Sequence, residues 1–471
     1  MTDVLLIGAA PLPIETEQVT GGGLRTWHFL QALIGAGHHV TLIANRTHGL
    51  YPPDLPPIRT TSYPTWTYHN VADAIWHDPR ALRLLIEQTK KSCVVAVTTS
   101  AASISSDKMA YHPLWADLYG SLMAEAQLKA LVYADDAHLD YFWRQEYRAV
   151  GRADRFSTVS DRQQWALIGE LGAVGRLNQR TAGYAFAHTI PIASEPAPFV
   201  QSGFHLRGEI VPEDAFVILH SGGFNTWTDV DTLVDALERV MAQYAYVYLV
   251  ATGGTIVGHD DLTYGRFQRR VEESVHRDRY VLRGWVSNAD LPAYYLESDV
   301  AVCTDRYAYE ARLGSRTRVL DWLRAGLPCV LSSLTELATA IRSHDAGLVY
   351  RAEDAHALAS CLAWCVEHRN ELKLMGAKGR DLLKNHFGFA KTAEPLLEWV
   401  ADPQHAPDFG HPVTLIQPAQ TLIMQMREAV RQRRLSFSLA LRLWPVVARM
   451  MPYPVQQRLA ALGLRLLRMP K

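Results

Sequence analysis

Two arginines and a glycine pair are the residues of this sequence best suited to binding an anionic group. Arg316 and Arg318 follow an apolar run at 299–304, and Gly222-Gly223 follow another apolar run. The ends of parallel strands, and the helix N-termini that follow them, are where α/β sheets hold phosphate groups. An arginine fork can also grip two phosphate oxygens at once. The pattern therefore predicts a site for a phosphate-bearing ligand at these two loops.

Two further side chains, both in the first half of the chain, could accept a proton from a hydroxyl group. Asp117 ends an apolar run in the sequence WADLYG, and His138 lies in DDAHLD among the acids Asp135, Asp136 and Asp140. Histidine titrates near neutral pH, which suits a general base. Asp117 has the better position and His138 the better chemistry. A surface histidine in an acidic loop explains His138 equally well, so both alternatives stay open.

The elements that would position these groups alternate between strands and helices. Apolar runs at 4–8 and 40–44 flank an amphipathic helix whose entrance is Gly21-Gly22-Gly23. The spacing is not that of the dinucleotide fingerprint, so the glycines indicate either a flexible turn or a backbone that approaches a phosphate or sugar. After prolines at 191–198 the alternation starts again. Two such series predict an α/β protein of two doubly wound, Rossmann-like domains facing a cleft.

The composition excludes several classes of protein. Of 471 residues 48% are hydrophobic and 20% charged, with a net charge of −1, so no nucleic-acid partner is expected. The five cysteines include no metal-site spacing, and buried thiols in a reducing compartment are expected. The start of the chain lacks the basic region of a signal peptide, and no uninterrupted apolar run reaches the length of a membrane span.

The last part of the chain differs from the rest. Residues 411–471 hold ten basic residues and one acid, so this segment carries +9 and the remainder −10. Arginines alternate with bulky apolar residues, and prolines divide the segment into short helical patterns. Cationic amphipathic helices lie in bilayer interfaces, and arginines also frame interfaces between subunits. We expect a peripheral membrane contact, and an oligomerisation arm is the alternative.

Together these features resemble a known family. The glycine run with LIGAGHHV at 33–40, the segment RGWV at 283–286, the strand DVAV at 299–302 and DWLRAGLPCVLS at 321–332 occur in the order typical of GT-B glycosyltransferases of the retaining family 4, also called group 1. The resemblance covers residues 1–400. It implies a retaining transferase that moves a sugar from a nucleotide-diphosphate sugar, of the UDP or GDP type, to a hydroxyl group. It implies no obligatory cofactor or metal.

The resemblance also assigns roles to residues of the second half. The first half would bind the acceptor, a glycan or a lipid-linked sugar, and Gly21, Gly22 and Gly23 would face the cleft. Arg318 would stabilise the leaving phosphate, and Asp321 would bond the ribose. The expected donor-binding set is Gly222, Gly223, Asn225, Val286, Glu310, Gly314, Ser315, Arg316, Arg318 and Asp321.

One position departs from the family pattern. The family usually has two glutamates separated by seven residues, of which Asp321 matches the second and Leu313 the first. A leucine cannot bond a sugar hydroxyl, and Glu310 is the nearest acid that could replace the missing one. The departure leaves open a second hypothesis, a non-catalytic scaffold or membrane-associated subunit with this fold. An epimerase with this fold lacks its usual acid and histidine here.

The sequence therefore predicts three parts. Residues 1–193 form an acceptor-side domain, 194–400 form a nucleotide-sugar domain whose last helix crosses back to the first domain, and 401–471 form a basic helical tail. We expect a cytoplasmic protein, peripheral on the inner face of a membrane, that serves cell-surface polysaccharide synthesis in a bacterium. Its oligomeric state stays open.

Overall fold

The computed structural model describes residues 1–411 except residues 17, 48, 109–110, 202 and 257. The basic tail, from residue 412 onward, lies outside the described residues, and so does the prediction of a membrane contact made for it. Among the helices of the described part, none is both long enough and apolar enough to cross a bilayer.

The first half of the chain forms an eight-stranded sheet in the order β3-β4-β2-β1-β5-β6-β7-β8. All neighbours in it are parallel except β3 and β4, which are antiparallel. Its strands are β1 (Asp3–Ala10), β2 (His39–Arg46), β3 (Ile58–Ser62), β4 (Trp66–Val71), β5 (Cys93–Val97), β6 (Leu114–Leu118), β7 (Arg155–Thr158) and β8 (Ala187–Thr189).

Seven helices connect these strands in the described residues. They are α1 (Gly21–Gly35), α2 (Asp73–Trp76), α3 (Pro79–Glu87), α4 (Thr99–Lys108), α5 (Leu122–Tyr133), α6 (His138–Arg152) and α7 (Asp161–Ala173). Side chains cap several of their N-termini, because an N-cap oxygen satisfies a free backbone N–H of the first turn. Thr20 caps α1 in this way and Ser160 caps α7.

The second half forms a six-stranded sheet, parallel throughout, in the order β11-β10-β9-β12-β13-β14. Its strands are β9 (Phe216–His220), β10 (Val247–Thr252), β11 (Tyr280–Gly284), β12 (Val300–Cys303), β13 (Cys329–Ser332) and β14 (Gly347–Tyr350). Its helices are α8 (Val230–Gln243), α9 (Thr263–Glu272), α10 (Leu291–Leu296), α11 (Tyr309–Leu313), α12 (Thr317–Ala325), α13 (Glu336–Ser343), α14 (Ala355–Glu367) and α15 (Arg369–His386).

One central strand of each sheet is buried along its whole length. Every residue of β5 and of β9 is buried, as expected for parallel strands that are covered by helices on both faces. The α/β class and the two doubly wound sheets predicted from the alternation are thereby confirmed.

The chain returns to the first sheet after α15. The short helices α16 (Phe389–Thr392) and α17 (Glu394–Ala401) follow, and Leu396, Trp399 and Val400 pack in the core that contains β1. The hydroxyl of Thr2 donates to the carbonyl of Val400 at 3.0 Å. This helix therefore lies on the first sheet, while the predicted domain limits at 193 and 400 stay a prediction.

Three local features depart from the simple alternation of strands and helices. Residues 58–62 form β3, which pairs antiparallel with β4 at the edge of the sheet. Two short helices, α2 and α3, follow β4 in place of one long helix, because the segment that ends α2 leads into Pro79 at the start of α3. Gly21, Gly22 and Gly23 form the first turn of α1 rather than a loop before it.

Candidate active site

A cavity of about 350 Å³ lies between the two sheets, and both halves of the chain line it. The second half contributes most of the lining, from the ends of β9 and β10, from 285–295 and from α12. The first half contributes Leu24 and part of the loop between β1 and α1. We call this the donor cavity, because it holds several of the residues predicted to bind a nucleotide sugar.

Arg318 and the glycine turn after β9 meet in the donor cavity. The Nη2 atom of Arg318 donates to the carbonyl of Gly223 at 2.7 Å. Gly222 has φ of +86°, and a Cβ there would stand 3.2 Å from the Arg318 guanidinium carbon. Only glycine therefore fits this turn without strain. Among the described residues no carboxylate forms an ion pair with Arg318, so its charge remains available to an anion.

His220, which the sequence did not single out, contributes to this arrangement. It ends β9, is fully buried, and its Nε2 lies 3.3 Å from Nη1 of Arg318. Burial, and then the charge of Arg318, lower the pKa of His220 to about 3. The imidazole is therefore neutral at physiological pH, and its Nε2 can accept from Arg318 without adding charge. Its position at a strand end was the signal that could have identified it.

Arg316 is placed differently, and the prediction that it grips phosphate is wrong for this structure. Its side chain is 5% exposed, and its Nε donates to Asp305 at 2.6 Å. Its two terminal nitrogens donate to the two carboxylate oxygens of Glu310 at 3.0 and 2.9 Å. Burial opposes the charge, but Asp305 and Glu310 together raise the pKa of Arg316. The guanidinium is thus paired with two buried carboxylates inside the protein.

Glu310 is consequently not free to replace the acid missing at position 313. Its carboxylate is buried and engaged by Arg316 on both oxygens. Gly314 also donates its backbone N–H to the carbonyl of Glu310, and the carbonyl of Ser315 accepts from Arg316. The structure brings these predicted donor residues together as the framework of a loop, and none of the four lines the donor cavity.

Asp321 and Val286, by contrast, line the donor cavity as predicted. Asp321 lies one helical turn after Arg318 on α12, and Ser194 is its hydrogen-bond donor at 3.4 Å. Burial raises the pKa of Asp321 to about 6. Asn225 follows the glycine turn, and its side-chain oxygen is buried without a hydrogen-bond partner in the described residues. A buried acceptor of this kind is available to a ligand hydroxyl.

The glycine run of α1 approaches the cleft without lining the donor cavity. A Cβ on Gly23 would stand 2.0 Å from the carbonyl of Pro11, so glycine is required there by packing. Gly21 lies against Tyr119, whose hydroxyl is 2.8 Å from Thr317 in the other half of the chain. The run therefore lets the start of α1 pack closely against Pro11 and Tyr119, and Tyr119 in turn contacts the second half of the chain.

The loop that does reach the donor cavity is fixed by Glu15, a residue that sequence reasoning missed. Its carboxylate accepts from the hydroxyls of Tyr51 and Tyr68 at 2.8 and 2.7 Å, and from Arg59 at 2.7 Å. Asn70 and the backbone N–H of Leu12 complete the set at 2.9 Å each. Five donors thus hold the acid whose loop carries the cavity residues 13, 18 and 19.

Asp117 does not have the environment of a general base. It is fully buried and forms a two-point ion pair with Arg25, at 2.9 and 2.7 Å. The hydroxyl of Ser157 donates to it at 2.6 Å. Arg25 also donates to the carbonyls of Ile190 and Pro191. Asp117 therefore connects β6 to α1 and to the segment after β8, which corrects the catalytic prediction made for it.

His138 is exposed at the start of α6 and does not line the donor cavity. Its ring lies 6.4 Å from that of Tyr133 and 6.3 Å from that of Phe142. None of the three neighbouring acids is hydrogen-bonded to it in the described structure. Its catalytic role stays a prediction, without a geometric argument in its favour.

Residues 215–368 match the family model of the glycosyl transferases group 1. Comparison with curated proteins finds no match. The fold is shared with solved structures at low identity. Sucrose-phosphate synthase from Thermosynechococcus elongatus is 17% identical, with a TM-score of 0.65, covering 85% of this chain and 98% of that one. Anabaena HepE in complex with UDP and glucose is 14% identical, with a TM-score of 0.61, covering 85% and 100%.

A third example is the trehalose 6-phosphate synthase from Burkholderia multivorans, 13% identical with a TM-score of 0.60, covering 85% of this chain and 96% of that one. Identities this low establish the fold alone, and the family match adds the chemical class. The chain is a glycosyltransferase with the GT-B fold. Its second half is of the group 1 type, and the matched segment contains Arg318, Asp321 and the Gly222 turn of this glycosyltransferase.

We expect Arg318→Gln to weaken UDP binding about tenfold or more, since a charge-assisted hydrogen bond contributes about 1.5–3 kcal/mol. The melting temperature should change little, because Arg318 has no ion pair to lose. Isothermal titration calorimetry and thermal unfolding measure the two effects. Arg312→Gln, which removes an exposed arginine from the neighbouring helix, is the matched control. Equal UDP affinities in both variants would contradict the assignment.

We expect Asp117→Asn to destabilise the fold by about 3 kcal/mol or more, since it leaves the buried Arg25 charge without its partner. Urea denaturation measures the free energy of unfolding. Ser157→Ala is the comparison, and the loss of one hydrogen bond there should cost about 1 kcal/mol. A variant of unchanged stability that has lost transfer activity would restore Asp117 as a catalytic base.

We expect the affinity for UDP-glucose to fall as the pH decreases through about 6, the pKa of Asp321. The carboxylate form accepts hydrogen bonds, and protonation removes that capacity. The raised pKa has the opposite effect on stability. The free energy of unfolding falls as the pH rises from the pKa of the unfolded chain to about 6, because burial disfavours the ionised carboxylate in the folded state. Titrations of UDP-glucose at several pH values measure the effect on binding. Asp321→Asn is the control, and its affinity should not depend on pH in this range.

Proposed function

We propose that this enzyme is a retaining glycosyltransferase that uses a nucleotide-diphosphate sugar as donor and a glycan or lipid-linked hydroxyl as acceptor. The observation that supports the donor most is the unpaired Arg318 beside the Gly222 turn. Charge that develops on a leaving diphosphate needs a cation and free N–H groups in place before the reaction. The start of α12, the helix that carries Arg318, has no side-chain cap, and the partial positive charge of a helix N-terminus also favours an anion.

The donor cavity divides naturally among the parts of such a donor. Trp285 and Val286 form an apolar wall where a base could lie, and the indole nitrogen of Trp285 donates to the carbonyl of Thr255 at 3.1 Å. Asp321 would accept from the ribose. Asn225 does not line the donor cavity, but it follows the glycine turn that does. We assign the sugar to the neighbourhood of this turn, because a hydroxyl near Asn225 would satisfy its buried oxygen.

The nucleotide is proposed to be UDP, since HepE has been crystallised with UDP-glucose and shares this fold. Retention of the anomeric configuration is proposed from the resemblance to family 4. In this mechanism the departing phosphate oxygen takes the acceptor proton, so the burial of Asp117 removes nothing that the reaction requires. Cell-surface polysaccharide synthesis at a cytoplasmic membrane face is the proposed setting.

Binding and hydrolysis of nucleotide sugars test the proposed donor directly. We expect UDP to raise the melting temperature of the full chain more than GDP or ADP, because a ligand that binds only the folded state stabilises it by mass action. We also expect slow hydrolysis of UDP-glucose that releases the α-anomer first, observed by proton NMR. Initial release of the β-anomer would contradict retention. The absence of binding and of hydrolysis with UDP, GDP and ADP donors would contradict the proposal as a whole.

A further inference from the structure

A second interdomain pocket, of about 680 Å³, lies outside the donor cavity. Helices α5 and α7 and the start of α6 form its wall in the first half of the chain. Tyr309 and Leu313 of α11 close it from the second half. We call this the outer pocket. It adjoins the reaction region, because Leu313 immediately precedes the loop that leads to Arg318.

The inner end of the outer pocket is fixed by a contact between the two halves. The hydroxyl of Ser160, the N-cap residue of α7, donates to the carbonyl of Leu313 at 2.6 Å. The backbone N–H groups of Asp161 and Arg162 donate to Glu336 of the second half at 3.0 and 2.8 Å. These bonds hold Leu313 against the first half. An apolar side chain therefore stands where the family usually places an acid.

The lining of the outer pocket is mostly apolar. Met123, Leu131, Leu139 and Leu313 contribute its larger side chains, and no lysine or arginine is among the described residues that line it. The acids present, Asp136 and Glu170, would repel a phosphate. Burial raises the pKa of Glu170 to about 7, so this carboxyl is partly protonated near neutral pH. The pocket suits a hydrocarbon better than an anion.

The surface around the pocket mouth is also unusually apolar for an exposed region. Leu131 is 69% exposed and Tyr309 is 63% exposed. Helix α6 begins at the pocket and then exposes Tyr141, Trp143 and Tyr147 to solvent. Aromatic side chains with one polar end favour the boundary between water and an apolar phase. Exposed aromatic side chains therefore follow the pocket along α6.

We propose that the outer pocket binds the hydrocarbon chain of the acceptor, an alkyl chain attached to the acceptor sugar without a phosphate between them. This inference rests on the proposed transferase function and selects the lipid-linked class of acceptor. The sugar hydroxyl would lie toward the loop between α11 and α12, and the hydrocarbon chain would extend along α6. Leu313 would then contact the acceptor, which explains an apolar residue at that position.

The test compares two probes that differ only in chain length, methyl and octyl β-D-glucopyranoside, titrated below the micelle concentration into the full chain with UDP present. We expect the octyl probe to bind at least tenfold more tightly, since two buried methylene groups suffice for that factor. Leu131→Gln should reduce the preference to threefold or less. Leu131 is largely exposed, so its replacement should not affect folding.

Leu374→Gln is the matched control, because Leu374 lies on α15 and is 66% exposed, and it should leave the preference unchanged. Equal binding of the two probes by the wild-type chain, or an unchanged preference in Leu131→Gln, would overturn the inference while UDP binding still supports the transferase. Failure to bind UDP would instead contradict the proposed function. Light scattering that shows a dimer dissolved by Leu131→Gln would place a second copy on the pocket and overturn the inference.

Discussion

The buried ion cluster of Arg316, Asp305 and Glu310 is the interaction on which the segment between β12 and α12 depends. One guanidinium satisfies two carboxylates, and Asp305 accepts additionally from Ser332 at 2.6 Å. Buried charges persist only when their partners are complete, and removing one partner commonly costs about 3–5 kcal/mol. The cluster therefore fixes the path from β12 to α12. That path leaves Arg318 at the cavity without a carboxylate partner among the described residues.

The opposite wall of the donor cavity follows the same physical rule with different residues. Glu15 is almost fully buried in a loop that would otherwise have few contacts, and five donors surround its carboxylate. Because four of these donors come from β3, β4 and the segment before β3, the edge of the first sheet determines where the loop lies. Asn288 then donates to the carbonyl of Thr16 at 3.3 Å, which connects the loop to the second half.

The sequence alone could predict the alternation of strands and helices, because apolar runs of buried parallel strands are local signals. The positions after such runs placed Arg318 and the Gly222 turn at one site, and the resemblance to the family added Asp321 and Val286. The sequence could not distinguish Arg316 from Arg318, since the difference lies in which arginine meets buried acids. The sequence did not predict the antiparallel edge formed by β3, or the contacts of Glu15 with it, for the same reason. Partners that are distant in the sequence leave no periodic pattern.

Leu313 lines the outer pocket and precedes the loop that leads to Arg318 of the donor cavity. If this residue were an acid, its carboxylate would stand in the mostly apolar wall of the outer pocket, and burial there without a partner would be costly. Arg316 could not neutralise it, because Glu310 and Asp305 already occupy that guanidinium. The apolar residue at 313 and the closed ion cluster are therefore mutually consistent. An enzyme built in this way would hold the donor sugar through groups such as Asn225 and use position 313 for contact with an apolar acceptor.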